Sequence, residues 1–256
     1  MLENILEIKN LTHIYPDTGR GIKNISCSLK RGEFVIVAGG NGSGKSTFFR
    51  HLNGLMKPIS GQVLLHGESI NSSASALRMA RQRVGMIFQD ADCQIVGSTV
   101  YEDAAFGPEN LKLPLRVIHQ RVKDVLKRLD LWHLRNQNPA TLSGGEKRSL
   151  AIAGVLAMEP EVIVMDEPCS NLDYPATLNL LSCIKELHRS GRTLVIATHD
   201  IEKVISMATR MIILESGEIR ADGSPEHLVK EVEKFGIREP CTSKLGMVPA
   251  IMPWHS

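Results

Sequence analysis

The chain has 256 residues, and its 30 lysine and arginine residues against 28 aspartate and glutamate residues leave a net charge of +2. A hydrophobic fraction of 43% with so little net charge excludes an intrinsically disordered chain. The near-neutral balance argues against a protein that binds nucleic acid through a basic face, and an aromatic fraction of 4% argues against a base-stacking platform. The length allows one large domain, or one domain with a subdomain.

No segment of the sequence is long enough to cross a bilayer, which needs ~18 or more apolar residues in a row. The longest apolar runs, such as Ala151 to Met158, are much shorter, and the first residues lack the basic and apolar regions of a secretory signal. Five scattered cysteines without a C-x-x-C pair fit a reducing compartment and provide neither a disulfide framework nor a zinc site: Cys27, Cys93, Cys169, Cys183 and Cys241. We therefore expect a cytoplasmic protein without direct membrane insertion.

The first 30 residues alternate polar and apolar side chains around a turn at Tyr15 to Gly19, which predicts antiparallel strands with one exposed face. Phe34 to Ala38 is a continuous apolar run, typical of a strand that is covered on both faces. A glycine-rich turn follows, and residues 46–55 are predicted to be helical. Two more buried runs, Val162 to Met165 and Thr193 to Ala197, each follow helical sequence. Strands that alternate with helices predict an α/β fold with a mostly parallel sheet.

The stretch between these strands has a different character. Apolar residues recur in it at steps of three and four, which predicts one stripe of a helix: Leu115, Ile118, Val122, Val125, Leu126 and Leu129. We interpret residues 90–158 as a helical subdomain inserted into a core formed by residues 1–89 and 159–225, which includes the antiparallel β-subdomain. Residues 226–256 form a short C-terminal extension, in which His227 to Phe235 is predicted to be a short helix.

The segment from Gly39 to Thr47 has the pattern G-x-x-x-x-G-K-[ST] between a predicted strand and a predicted helix, as a P-loop requires. Glycines let backbone N–H groups point towards an anion, and the helix N-terminus adds partial positive charge. The lysine would reach the β- and γ-phosphates, and the serine after it would ligate Mg²⁺. A flexible glycine and serine turn is the weaker alternative, because every motif position is in register. The predicted nucleotide-binding residues are Gly39, Gly40, Asn41, Gly42, Ser43, Gly44, Lys45, Ser46 and Thr47.

A second metal anchor is predicted where the apolar run Val162 to Met165 ends in Asp166. An acid in this position lies at the carboxyl edge of the sheet, where ligands bind and where P-loop proteins hold Mg²⁺. Glu167 follows it and would act as the base for the attacking water. Acids after strands are often only turn or cap residues, but the accompanying P-loop favours the catalytic interpretation.

The segment Leu142 to Glu146 reads Leu-Ser-Gly-Gly-Glu, and its Ser143 and Glu146 fit the S-x-x-E capping box of an ordinary helix start. Two glycines in a first turn cost ~1 kcal/mol each relative to alanine, however, and a plain cap does not need them. A helix N-terminus whose backbone must approach an anion closely does need them. Ser143, Gly144 and Gly145 are therefore predicted to bind an anion whose source the sequence does not specify.

With these motifs, residues 3–225 resemble the nucleotide-binding subunits of ATP-binding cassette (ABC) transporters. The resemblance implies the P-loop NTPase (RecA-like) fold, ATP as the nucleotide and hydrolysis to ADP and phosphate. It also implies a head-to-tail dimer, in which each ATP lies between the P-loop of one subunit and the Leu-Ser-Gly-Gly-Glu helix of the other.

Four further residues match motifs of this family. Gln89 matches a glutamine that ligates Mg²⁺ and senses the γ-phosphate, and His199 matches the switch histidine that steadies the γ-phosphate and water. Asp173 matches a loop that contacts the opposite subunit. Tyr15 matches the aromatic residue that stacks on adenine, a contact worth ~1–3 kcal/mol by analogy with base stacking. An ordinary tyrosine at a sheet edge remains the alternative for Tyr15.

A finer resemblance covers residues 89–110, which are similar to the ATPase subunits of energy-coupling factor (ECF) transporters, including the cobalt and nickel systems. There the segment forms part of a groove for a transmembrane coupling protein, to which Ile95, Val96 and Gly97 would supply apolar contact and close approach. The resemblance implies a homodimer or a heterodimer with a related ATPase, and a separate substrate-binding membrane protein. It places the chain on the inner face of the cell membrane, bound through these protein partners. Cys169 and Asn171 depart from the usual pattern without removing a catalytic group.

Other classes of P-loop protein remain as alternatives. Cassette ATPases that act on DNA insert a long coiled coil, and no sustained heptads lie between Lys45 and Ser143. Cassette ATPases of translation usually carry two cassettes, and this chain has one. A small-molecule kinase would not need Leu142 to Glu146, whereas a conventional ABC importer subunit would share every catalytic motif.

Overall fold

The strands of the chain form two sheets. The structure, a computed structural model, describes residues 3–244, so the last part of the predicted C-terminal extension, residues 245–256, lies outside the described residues. The strands are β1 Asn4–Ile14, β2 Gly21–Lys30, β3 Phe34–Ala38, β4 Ser60–Leu65, β5 Glu68–Ser69, β6 Val84–Ile87, β7 Val162–Asp166, β8 Thr193–Thr198, β9 Arg210–Glu215 and β10 Glu218–Gly223.

The helices lie between these strands and after them. They are α1 Lys45–Leu52, α2 Ala74–Arg83, α3 Val100–Asn110, α4 Leu115–Arg128, α5 Gly144–Ala157, α6 Tyr174–Arg189, α7 Pro225–Leu228 and α8 Cys241–Lys244. The helix predicted over residues 46–55 is shorter than expected and ends at Leu52. The segment predicted as one helix over residues 227–235 is instead the end of α7 followed by a 3₁₀ stretch, Val229–Phe235.

The larger sheet has six strands in the order β10-β9-β3-β8-β7-β6, and only β10 runs antiparallel to its neighbour. The smaller sheet has the order β2-β1-β4-β5 and is antiparallel throughout. These sheets confirm the predicted α/β fold with a mostly parallel core and an N-terminal antiparallel part.

Strand β3 separates two hydrophobic cores, because successive side chains of a strand point to opposite faces. Phe34 and Ile36 pack into the core on the side of helices α3 to α6, whereas Val35 and Val37 pack into the core that joins the two sheets. Helix α1 fills this second core with Phe48, Phe49 and Leu52. The P-loop lysine and serine therefore form the start of a helix that is anchored against both sheets.

Helices α3, α4 and α5 pack against one another between β6 and β7 in the chain order. Within the predicted stripe of α4, Ile118, Val122 and Leu126 are buried, whereas Leu115 is 82% exposed. The expectation that Leu115 belongs to the stripe is wrong, because it occupies the first helical position beside Pro114 and projects from the end of the packed face.

No helix between residues 3 and 244 is long and apolar enough to cross a membrane.

The two ends of the α4 stripe provide a stability test. We expect Leu126→Ala to lower the free energy of unfolding by about 2–5 kcal/mol, because it removes methyl groups from a fully buried position and leaves a cavity. Leu115→Ala is the matched control and should change it by less than about 0.5 kcal/mol. Urea unfolding followed by circular dichroism measures both, and equal losses for the two variants would contradict the assigned packing.

Candidate active site

The chemistry-bearing residues follow three adjacent parallel strands. Strand β8 lies between β3 and β7, and its register pairs Ala38 with Thr198 and Asp166 with Ala197. The P-loop follows β3, His199 follows β8, and Asp166 and Glu167 lie at the end of β7. Because the carboxyl ends of parallel strands meet at one edge of a sheet, these groups lie side by side.

A cavity of about 470 Å³ opens at this edge. Most of the residues predicted from separate motifs line this cavity. The lining residues are Tyr15, Thr18, Arg20, Gly21, Asn41, Gly42, Ser43, Gly44, Lys45, Ser46, Thr47, Gln89, Asp166, Glu167 and His199. Gly39 and Gly40 lie directly before the lining part of the loop. Ser143, Gly144, Gly145 and Asp173 are not part of this cavity.

The P-loop folds around its own lysine. Gly44 caps helix α1 with a φ of 105°, a left-handed conformation that favours glycine. The Lys45 Nζ donates hydrogen bonds to the carbonyl oxygens of Gly39 at 2.7 Å and Gly40 at 3.0 Å. Burial lowers the pKa of Lys45, and the negative charges of Glu167 and Asp166 oppose that effect. A buried ammonium that bonds only to neutral carbonyls is suited to receive an anion such as a phosphate.

Asp166 is 4% exposed and lies beside Ser46 of the P-loop helix. Burial raises the pKa of Asp166, whereas the Ser46 hydroxyl and the positive charge of Lys45 lower it. A buried carboxylate next to a hydroxyl provides the hard oxygen ligands that Mg²⁺ prefers, and a divalent cation would relieve the burial of the negative charge. The residues therefore fit a magnesium ion.

Glu167 is held in a strained conformation against His199. Its φ of +48° is left-handed, which is uncommon for a residue with a side chain and is often found at functional sites. Its Oε1 accepts hydrogen bonds from the His199 backbone N–H at 3.0 Å and from the His199 Nδ1–H at 2.9 Å. Among residues 3–244, no hydrogen bond is made to its second oxygen, Oε2. One carboxylate oxygen is thus fixed in place while the other is left for a reacting group.

The Ser-Gly-Gly segment forms the capped start of helix α5. The Ser143 backbone N–H donates to Glu146 at 2.7 Å, and the Glu146 N–H donates to the Ser143 Oγ at 3.3 Å, so the capping box is complete. The Ser143 hydrogen bonds lower the pKa of Glu146. A Cβ added to Gly144 would meet nothing within 4 Å, so packing within this chain does not require that glycine. The close approach that it permits is therefore available to a group from outside the chain.

Arg148, which sequence reasoning did not single out, joins three of the motifs. This residue of α5 is 4% exposed and donates to the carbonyl oxygens of Phe88 and Gln89 and to the Ser170 Oγ at 3.1 Å. Ser170 in turn donates to the Glu167 carbonyl oxygen at 2.8 Å. The helix that carries the Ser-Gly-Gly segment is thereby connected to the backbone of Gln89 and to the loop after Glu167.

The remaining predicted residues have local structural partners. Asp173 is the N-cap of α6, and its Oδ1 accepts from the Ala176 N–H at 2.9 Å. Asn171 adopts a left-handed conformation in the same loop, with a φ of 59°. Cys169 packs against the core, and burial raises its pKa to about 11, so its thiol is protonated at neutral pH.

Three lining residues, Thr18, Arg20 and Gly21, belong to no motif that sequence reasoning used. Thr18 and Arg20 lie in the turn between β1 and β2, and Gly21 is the first residue of β2. All three follow Tyr15 closely in the sequence, and this proximity was the available signal. Arg148 had no comparable signal, because an arginine on a helix is usually exposed.

Comparison with known proteins identifies the family. The family model described as ABC transporter matches residues 22–170. The chain belongs to the ABC transporter family of ATP-binding proteins. It therefore binds ATP and is an ATPase. The matched span contains the P-loop, Gln89, the Ser-Gly-Gly segment and the end of β7 with Glu167.

Two curated relatives are named energy-coupling factor transporter ATP-binding protein EcfA. The protein of Methanothermobacter thermautotrophicus is 41% identical over 244 residues, which cover 94% of this chain and 78% of the relative. The protein of Methanocaldococcus jannaschii is also 41% identical over 244 residues, which cover 94% of this chain and 88% of the relative.

Two solved structures share the fold over most of their length. One is cbiO1 of Clostridium perfringens, part of the ABC transporter complex cbiONQ, with a TM-score of 0.80, 36% identity and coverage of 95% of this chain and 99% of that chain. The other is the ATP-binding cassette MJ0796, a dimeric structure bound to ADP and Pi. It has a TM-score of 0.77 and 30% identity, and the match covers 86% of this chain and 98% of that chain.

Arg148 provides a test of the connection between motifs. We expect Arg148→Met to lower the free energy of unfolding by at least about 2 kcal/mol, because hydrogen bonds to a charged group contribute about 1.5–3 kcal/mol and the carbonyl oxygens of Phe88 and Gln89 lose their donor. Arg128→Met removes an exposed ion pair with Glu186 and should cost less than about 1 kcal/mol. Urea unfolding of the two variants measures the difference, and similar losses would show that Arg148 makes no special contribution.

Proposed function

We propose that this chain is the ATP-hydrolysing subunit of a membrane importer of the energy-coupling factor type. The observation that carries the proposal is the single cavity in which the P-loop, Gln89, Asp166, Glu167 and His199 meet. The names of the EcfA relatives and of the cbiONQ subunit support the transporter type. Between Lys45 and Ser143 the helices α2 to α4 have only 10, 11 and 14 residues, which leaves no room for the long coiled coil of DNA-repair ATPases.

The site residues have distinct proposed roles in hydrolysis. The P-loop amides and Lys45 bind the phosphates. Ser46, Asp166 and Gln89 would hold Mg²⁺, which would neutralise charge on the phosphate oxygens. Glu167 accepts a proton from the attacking water on Oε2, while His199 fixes the Oε1 side of the carboxylate. Tyr15 stacks on the adenine.

The second half of each ATP site is proposed to come from another subunit. Gly144 is open to the outside of the chain, and the Ser-Gly-Gly segment is absent from the cavity around Lys45. A head-to-tail dimer places this segment, with Asp173 beside it, opposite the partner's P-loop. Because one chain contains every motif, a homodimer has two complete sites, and a heterodimer with a related ATPase is the alternative.

A groove on the helical part is the proposed seat of the transmembrane coupling protein. A cavity of about 790 Å³ lies between α2, α3 and α5, and Val96 and Phe106 are 62% and 53% exposed beside it. The neighbouring residues also pack within the chain. Ile95 is partly buried against the core, and a Cβ on Gly97 would lie 2.3 Å from the Asp103 backbone nitrogen, so the chain's own packing also requires this glycine.

The proposed arrangement places the chain on the inner face of the cell membrane without inserting into it. We propose one ABC ATPase domain, with residues 1–89 and 159–225 as core, residues 90–158 as helical subdomain and residues 226–256 as extension. The transported metal ion or vitamin would be selected by a separate substrate-binding membrane protein. ATP binding closes the dimer and moves the coupling protein, and hydrolysis reopens it.

Glu167→Gln tests the mechanism in the assembled transporter. We expect a loss of ATP turnover of at least about a hundredfold, within the range that removal of a general base produces, because the amide cannot accept the proton of water. The variant should still bind ATP and form a closed dimer on a sizing column.

Glu68→Gln is the matched control, because Glu68 is an exposed acid of β5. It should hydrolyse ATP at the parent rate. Full activity of Glu167→Gln, or a failure of its subunits to associate at saturating ATP, would contradict the proposed mechanism.

Phe106→Glu tests the groove. We expect the variant to bind the membrane partner at least about fivefold more weakly, because a buried apolar anchor of an interface contributes more than about 1 kcal/mol. Ile59→Glu changes an apolar residue that is 66% exposed, bonds to β1 at Thr12 and does not line the groove, so it should leave binding unchanged. Recovery of the partner from detergent-solubilised membranes measures both, and equal recovery with the two variants would contradict the assignment of the groove.

A further inference from the structure

A buried histidine lies behind the proposed adenine platform. His51, in the last turn of α1, is 0% exposed, and its Nδ1–H donates to the Thr47 carbonyl oxygen at 2.7 Å. Because a carbonyl can only accept, the proton resides on Nδ1, and Nε2 carries a lone pair. Burial lowers the pKa of His51, although the backbone carbonyl groups of Thr47 and Lys57 oppose the shift, and the lowered pKa favours the neutral ring.

The Nε2 of His51 is buried and has no hydrogen-bond partner within residues 3–244. An unpaired buried nitrogen opposes stability, and an apolar side chain of similar size would avoid that penalty. Stability alone therefore does not account for a histidine at this position.

His13 of β1 connects His51 to Tyr15. Its ring packs edge-on against the His51 ring at 4.9 Å and against the Tyr15 ring at 5.0 Å. Its Nδ1–H donates to the Lys57 carbonyl oxygen at 3.2 Å, which fixes the orientation of the ring. Edge-to-face packing of aromatic rings at this separation is attractive and directional.

Thr47 contacts both His51 and Tyr15. Its carbonyl oxygen accepts from His51, and its Oγ1 lies 3.4 Å from the Tyr15 hydroxyl, which also donates to the Met56 sulfur at 3.4 Å. Thr47 belongs to the same helical turn as Lys45 and Ser46. The phosphate-binding turn and the tyrosine are thus joined directly through the Thr47 hydroxyl and indirectly through His51 and His13.

We propose that His13 and His51 are positioning residues that hold Tyr15 at a set place relative to the P-loop, and thereby determine how well the site binds the base of the nucleotide. The proposal rests on the proposed stacking of Tyr15 on adenine. It assigns no contact between either imidazole and the nucleotide. Their contribution is to keep the tyrosine ring in place before the base arrives, which reduces the ordering that binding requires.

The experiment compares two ligands on the full chain by isothermal titration calorimetry. ATP needs both the P-loop and the base platform, whereas inorganic tripolyphosphate needs only the P-loop. We expect His51→Leu and His13→Leu each to weaken ATP binding by about fivefold or more and to change tripolyphosphate binding by less than about twofold. Thermal unfolding should show His51→Leu to be folded with a melting temperature close to that of the parent, since removal of the unpaired nitrogen offsets the loss of the hydrogen bond to Thr47.

Tyr15→Ala supplies the reference. We expect it to weaken ATP binding at least as much, and the addition of His13→Leu to Tyr15→Ala to have no further effect, because the histidines act through the tyrosine. His13 is only partly buried, so His13→Leu keeps the test valid if His51→Leu does not fold.

Three outcomes would overturn the inference. If the histidine variants bind ATP and tripolyphosphate more weakly by the same factor, the substitutions have damaged the P-loop in general. If the histidine variants bind ATP as the parent does while Tyr15→Ala binds it more weakly, the histidines do not position the tyrosine. Unchanged ATP affinity of Tyr15→Ala would overturn the inference together with the proposed adenine platform, while the proposed hydrolysis by Glu167 would be unaffected.

Discussion

The parallel register of β3, β8 and β7 is the constraint on which the site depends. Each of these strands is buried on both faces, so the sheet holds them in fixed register between two cores. The P-loop, His199 and the pair Asp166 and Glu167 lie at the carboxyl ends of these strands and therefore at one edge of the sheet. A shift of one strand by a single residue would turn its side chains to the opposite face and separate these groups.

The charges at this edge are not balanced within the chain. Lys45 bonds to carbonyl oxygens, Asp166 is buried with a raised pKa, and Glu167 is held in a left-handed backbone conformation by its contacts with His199. Such an arrangement opposes stability on its own and becomes favourable when a polyphosphate and a cation complete it. We therefore expect these uncompensated groups to couple nucleotide binding to the conformation of this edge.

Arg148 connects the nucleotide-binding edge of the sheet to the helical part of the chain. Its guanidinium contacts the backbone at Phe88 and Gln89 and the hydroxyl of Ser170, so the start of α5 and the loop after β7 share one buried cation. The exposed groove beside Phe106 is formed in part by the same helix α5. We therefore expect a movement of α5 against the core to affect both the nucleotide edge and the groove.

The sequence by itself determined the motifs and the strands that carry them, because a P-loop, an acid after an apolar run and a Ser-Gly-Gly helix start depend on local spacing and backbone conformation. It also placed most of α4 correctly, but it assigned Leu115 to the buried stripe, whereas the structure leaves this residue exposed. Only the tertiary structure decided that position, the packing of Gly97 against Asp103, the contacts of Arg148 and the contact of His13 with His51. Burial and pairing of side chains depend on neighbours that are distant in the sequence, and no local pattern records them.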